Sequence, residues 1–313
     1  MKIRGLILIF SMLSAFQSFA SEREIKIALN WKPEAEFGGI YQAQLGGIFK
    51  KHDLKVEIIP GGAGTPSVQM VAGSQFDFGI ASADEVVIAQ SHGAKVVALF
   101  ATYQTNAQGI MTHEESGFKS FADVFASPNK IALQKGLPYA MFLMQKFKNS
   151  QAQIVPYLGG ISNFLADPKY SQQCFITSEP ISAEKKNHKT KSFLVSEAGY
   201  NPYTTVLVTR ADVLKNKPDI VKSLVTAMRE GLAAYLTNPE QANVYMNALN
   251  PSVDLESLKK SAEIQRSLIE TEETKKFGIG TMTQARWSEL IEQLLVLKLI
   301  KKKVPADQLF QNL

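Results

Sequence analysis

The chain has 313 residues, 45% of them hydrophobic, and its 34 basic and 29 acidic side chains give a net charge of +5. That length and apolar share suffice for a large core and for two domains. The basic excess is mild and spread along the chain, with no cluster beyond Lys301–Lys303, so a nucleic-acid footprint is excluded. A single cysteine, Cys174, rules out an internal disulfide, and its apolar run Cys174-Phe175-Ile176 reads as a buried thiol rather than a nucleophile. Four scattered histidines (His52, His92, His113, His188) lack the spacing of metal ligands, so neither metal nor cofactor is expected. His52 and His92 fall where helices are expected to end, a position that favours a dipole or solvent role.

Residues 1–20 read as a cleaved signal peptide. Lys2 and Arg4 make a positive start, Leu6–Phe16 an apolar centre, and Ser18-Phe19-Ala20 a small-x-small cleavage site before Ser21. The apolar run is shorter than the roughly 18 residues of a membrane span. No cysteine lies at the cleavage point for a lipid anchor. The expected mature chain is exported, soluble and monomeric, and begins at Ser21.

From Glu24 to Phe100 strand and helix patterns alternate. Ile25–Leu29, Val56–Ile59, Phe76–Ile80 and Lys95–Ala101 read as strands, with helices at Gly38–Lys51, Pro66–Ala72 and Asp84–Ser91 between them. Such alternation predicts a parallel sheet covered on both faces, whose ligands sit beyond the carboxyl ends of the strands. Those ends carry Asn30-Trp31, Gly61–Ser67, Ala81–Asp84 and Tyr103-Gln104, four segments that would rim one crevice. The second of them, Gly61-Gly62-Ala63-Gly64-Thr65, joins a strand to a helix start, where backbone N–H groups point outward. Its glycine spacing fits neither a P-loop nor a dinucleotide fingerprint.

The stretch from Gly109 to about Gly199 has its own alternation. Helices are expected at Phe118–Phe125, Pro138–Lys148, Gly159–Leu165 and Pro180–Lys186, and strands at Lys130–Leu133, Gln153–Pro156, Cys174–Thr177 and Ser192–Val195. Thr204–Thr209 is a β-branched run that would return to the first sheet, and from Ala211 the pattern is helical. The expected fold class is α/β: two lobes with two parallel-type sheets flanked by helices and a helical C-terminal part. Lobe 1 would be discontinuous, residues 21–105 and 205–313, and lobe 2 would span 106–204.

Several ordered blocks carry a family resemblance. Asn30-Trp31-x-Pro33, Gly39-x-Tyr41-x-Ala43, Gly61-Gly62-x-Gly64 and Val71-Ala72-Gly73-x-x-x-Asp77-Phe78-Gly79 resemble the NMT1/THI5-like periplasmic binding proteins of ABC importers. Ser178-Glu179-Pro180, Gly199-Tyr200-Asn201-Pro202-Tyr203 and Met282-Thr283-x-x-Arg286-Trp287 resemble that family's later blocks. The resemblance implies a periplasmic protein with the two-lobed type II clamshell fold that closes on a solute and delivers it to a permease in the inner membrane, with no enzymatic activity. Members take thiamine pyrimidine precursors, riboflavin, sulfonates or other small organic solutes.

Candidate ligand-binding residues follow from the strand ends. Trp31 offers a flat stacking face, and Glu179, directly after an apolar strand, offers a carboxylate to amino or ring N–H donors. Glu36, Tyr41, Ser82 and Gln104 would add polar contacts, Gly62, Ala63, Gly64 and Thr65 a backbone cradle, and Tyr203 an aromatic wall. Asp84 reads as an N-cap of the next helix. The acid–aromatic combination favours an N-heteroaromatic solute such as a thiamine pyrimidine precursor, because an anion site would call for Arg or Lys and the rim holds only Lys32. The alternatives are riboflavin, a sulfonate or another small organic solute, and, from a different class, a dehydratase built on the same clamshell.

Overall fold

A computed structural model describes residues 23–313; the signal-peptide reading of residues 1–20 lies outside the described residues. Among the described residues ten strands build two five-stranded sheets. The first contains β1 (Arg23–Ala28), β2 (Leu54–Ile59), β3 (Phe78–Ala81), β4 (Val96–Ala101) and β10 (Val206–Arg210), in the order β2-β1-β3-β10-β4. The second contains β5 (Gln108–His113), β6 (Lys130–Leu133), β7 (Gln153–Pro156), β8 (Tyr170–Phe175) and β9 (Thr190–Leu194), in the order β7-β6-β8-β5-β9.

Both sheets are mixed. β1 runs parallel to β2 and β3, and β6 parallel to β7 and β8, as the helix-separated pattern requires. Each sheet also receives one strand that arrives from a crossover and inserts the other way. β10 is antiparallel to β3 and β4, and β5 is antiparallel to β8 and β9. The run Thr204–Thr209 does return to the first sheet, as its β-branched content indicated.

The first sheet separates two apolar layers, and strand alternation sorts side chains between them. Val97, Leu99 and Leu207 face one layer with Leu224, Met228 and Leu232 of the long helix Pro218–Thr237. Val96, Ala98, Val206 and Val208 face the other, with Trp287, Leu290 and Leu294 of the helix Gln284–Val296. That second layer continues through Tyr200 and Tyr203 into Ile110, Ile131, Leu133 and Phe193 of the second sheet, so the core runs past the crossovers between the lobes. Cys174 is buried, in a smaller cluster with Met111, Phe164 and Ala183. His52 and His92 end their helices at the capping position, and His52 also meets Glu230 at 3.0 Å.

Candidate functional site

The carboxyl end of β1 is held by the strand beside it. Leu29 N–H donates to Ile59 O at 2.9 Å, and Gly61 N–H donates to Trp31 O at 3.0 Å. The segment then bends through Pro33 into a 3-10 turn, Ala35–Phe37, with Glu34 at its N-cap in an extended conformation. This leaves Trp31 39% exposed, and its indole Nε1–H donates to Glu34 Oε1 at 3.2 Å. From the other lobe Ser178 Oγ–H donates to Glu34 Oε2 at 3.3 Å.

Glu179, the next residue after Ser178, opens the helix Glu179–Glu184. Its Oε1 accepts from the Tyr157 hydroxyl at 3.1 Å and its Oε2 from Phe175 N–H at 2.8 Å. The strand order β7-β6-β8 brings Tyr157, just past β7, to Glu179, just past β8. Thus the contact across the lobes is Ser178 to Glu34, with Trp31 bonded to Glu34 on one side and Glu179 next to Ser178 in the chain on the other.

The lobes also touch between the helix Glu179–Glu184 and the helix Leu255–Ile269. Ser261 Oγ–H donates to Thr177 O at 2.5 Å, Lys185 pairs with Asp254 at 2.6 Å and with Glu256 at 3.1 Å, and Lys260 pairs with Glu184. Beneath these contacts lies a cavity of about 20 Å³ lined by Glu34, Thr177, Ser178, Ser182, Ser257 and Ser261 among others. It has room for one water molecule.

Burial is the largest influence on all three carboxyl groups here. It pushes Glu34 up to about 7, helped by the Glu179 charge and opposed by the Trp31 and Ser178 hydrogen bonds and by Lys32. Glu36 is driven well above the carboxylate range by burial and then by Glu34. Glu179 is raised by burial, against the Phe175 N–H and Tyr157 hydroxyl that favour its charged form. Such a group is a strong acceptor for a donor or cation that enters the site.

Other candidates sit elsewhere. Tyr41 is buried in the first lobe, its ring 5.7 Å from that of Tyr245, so it packs between helices rather than reaching the crevice. Tyr203 is 1% exposed; its hydroxyl accepts from Thr283 N–H at 2.9 Å and the Arg286 guanidinium lies 3.7 Å over its ring. It is a core contact rather than a cleft wall. Gln104 is 3% exposed and donates from Nε2 to Thr281 O at 2.9 Å, which turns its amide inward.

Ser82, not Asp84, is the N-cap of the helix Ala83–Ser91; its N–H donates to Glu85 Oε2 at 2.9 Å and its hydroxyl bonds Asp84. Asp84 is buried and accepts from the Tyr200 hydroxyl at 3.0 Å and from Glu85 N–H at 2.9 Å. Asp84→Asn turns one of these buried acceptors into a donor, so it should cost about 1–3 kcal/mol of stability and leave solute affinity unchanged. Paired denaturant melts and binding titrations check this: an affinity loss without a stability loss would place Asp84 in the cleft.

In the glycine loop Gly62 N–H donates to Thr65 Oγ1 at 2.8 Å, Thr65 N–H to Gly62 O at 3.0 Å and Ser67 N–H to Thr65 O at 3.0 Å. These N–H groups close the loop on itself, and with Gly61 N–H taken by Trp31 O the anion cradle expected of residues 61–67 has lost four of its donors. Ala63 and Gly64 form the exposed tip. Pro66 occupies the N-cap of the short helix Ser67–Ala72 instead of its first turn. Among the described residues no group of His, Cys, Asp and Glu could hold a metal ion.

The fold is shared with solved structures of low sequence identity. The aliphatic sulphonate binding protein SsuA of Escherichia coli superposes with a TM-score of 0.72 at 14% identity, covering 91% of each chain. The alkanesulfonate-binding SsuA of Xanthomonas axonopodis, solved bound to MOPS, gives 0.67 at 12% identity over 93% of this chain and 98% of its own. The Candida albicans CA3427 gene product, described as having the generic periplasmic binding protein fold, gives 0.62 at 16% identity over 92% of this chain and 96% of its own. No curated protein matches the sequence. The NMT1/THI5-like family model matches residues 34–242, more than half of the chain, and this protein belongs to that family.

Proposed function

We propose that this protein is the periplasmic solute-binding component of an ABC importer, and that its two lobes close on a small N-heteroaromatic solute such as a thiamine pyrimidine precursor. The observation that carries this reading is the bond from Ser178 of the second lobe to Glu34 of the first, which sets the exposed Trp31 indole and the Glu34 carboxyl near Glu179, the residue after Ser178. An aromatic ring stacked on the exposed indole would present its amino or ring N–H groups to two carboxylates. Sulfonate binding, which the names of the SsuA structures bring forward, calls for cationic donors. The one lysine beside the acids is Lys32, whose effect on Glu34 is the smallest of the influences acting there.

A thermal-shift screen of aminopyrimidines, riboflavin and alkanesulfonates tests the reading, since a bound solute raises the melting temperature by mass action. Aminopyrimidines should raise it, and at saturation the radius of gyration should fall as the lobes close about the crossovers near residues 101–109 and 200–209. A rise with alkanesulfonates alone would overturn the solute class. An unchanged radius at saturation would overturn closure.

A further inference from the structure

Glu34 lies where the two lobes meet, bonded to Ser178, and Glu179 is the residue after Ser178; the hydrogen-bond partners of both carboxyl groups are neutral. Glu34 has the Trp31 indole and the Ser178 hydroxyl; Glu179 has the Tyr157 hydroxyl and the Phe175 amide. Lys32 and Glu36 lie on the segment of Glu34, Tyr103 interacts with both acids of that segment, and Tyr139, Tyr157 and Cys174 surround Glu179. At the same lobe contact Lys185 is paired with Asp254 and Glu256, and Lys260 with Glu184. Burial drives the three phenols and the thiol toward their neutral forms, so none of them supplies a charge near neutrality. Lys32 is exposed, where solvent screens it.

Contact between the lobes therefore encloses the Glu34 carboxyl among neutral partners, beside a cavity that has room for one water molecule, with the Glu179 charge opposing its ionisation. One carboxylate must take a proton or meet a donor before the lobes can rest there. Resting on the solute-binding reading above, we propose that closure without solute takes up one proton from solvent, held on Glu34 against Glu179, and that a solute bearing a donor or positive charge closes the lobes in that proton's place.

The sign follows from linkage. A carboxyl group whose closed-state affinity for protons exceeds its open-state affinity favours closure at low pH. That advantage is lost as pH rises from the ordinary carboxylate value of 4.5 through about 7. Exposure of the group in the open lobes is what returns it to the ordinary value.

Small-angle scattering of the solute-free protein between about pH 5 and about pH 8 reads this directly. The wild-type radius of gyration should be smaller at the acid end and expand through the window just named. Glu34→Gln and Glu179→Gln, each first shown to be folded by circular dichroism, should be compact at both ends, because an amide keeps the shape without the charge. Trp31 emission in the wild type gives a second readout, since its indole is bonded to Glu34 while the only other tryptophan, Trp287, is buried. It should change over the same pH window. A wild-type radius that is flat across the range, or glutamine variants that keep the wild-type pH profile, would overturn the proposal. No solute is present in any arm, so such a failure leaves the binding assignment standing, and an error in solute class leaves this result standing.

Discussion

Glu179→Gln should weaken solute binding at least about tenfold, the equivalent of about 1.4 kcal/mol. Each Glu179 oxygen already accepts one hydrogen bond inside the second lobe, from Tyr157 and from Phe175 N–H. A carboxylate oxygen has a second lone pair, and that is what remains for a solute N–H. The amide keeps the shape, but it turns one acceptor into a donor and removes the charge. A hydrogen bond to a charged group contributes about 1.5–3 kcal/mol. Neutralising Glu179 also eases closure, which works in the opposite direction, so the tenfold figure is a net expectation.

Trp31→Ala should weaken binding as well, through the loss of roughly 0.5–1.5 kcal/mol of stacking beyond area burial and the loss of the indole donor that orients Glu34. Calorimetric titration of both folded variants, with a solute found in the thermal screen, decides the matter. Wild-type affinity in Glu179→Gln would take that carboxylate out of the site, and most of the case for a donor-bearing heterocycle would go with it.

The first lobe was legible because its signals are local. β1 to β4 are short apolar runs separated by amphipathic stretches, and Gly61, His52 and His92 mark the turns between them. β5 was missed. Its sequence, Gln108-Gly109-Ile110-Met111-Thr112-His113, has a glycine second and little β-branched content, so nothing local announces a strand. It is a strand because β8 and β9 pair with it on both sides. The mixed character of both sheets was hidden for the same reason: direction is set by where a crossover enters, which a residue pattern does not carry.

The candidate site was legible as a set of strand ends and illegible as a set of side chains. Trp31 follows its strand and stays exposed, and Glu179 follows its own beside the Ser178 contact between the lobes, whereas Tyr203 and Gln104 occupy similar positions and turn into the core. A strand end has two faces, and only the packing around it selects one. Glu34 bordered the region in sequence, but its role depends on the bend after Pro33 and on Ser178, which is 144 residues away. Tyr157 carried no signal at all. It reaches Glu179 because β6 separates β7 from β8 in the sheet, an order that could not be read from the chain.

Gly61→Ala should destabilise the protein by about 1–3 kcal/mol and weaken solute binding with it. A Cβ on Gly61 would lie 2.3 Å from Leu29 O and 2.9 Å from both Asn30 C and Trp31 N, all backbone atoms with no side-chain freedom to give way. Glycine is needed here for close approach rather than for an unusual dihedral angle. The loop after β2 lies directly against the end of β1, and the Gly61 N–H to Trp31 O bond fixes the segment that presents the indole. Pushing the two apart would shift Trp31 away from Glu34, and Glu34 is in turn the group that meets Ser178 of the other lobe. Gly62→Ala is the matched control, because a Cβ there meets nothing within 4 Å. Its stability should stay within about 0.5 kcal/mol of wild type. Urea unfolding and calorimetric titration of the two variants test the chain of contacts. If Gly61→Ala kept both wild-type stability and wild-type affinity, the glycine loop would not be what holds Trp31 in place.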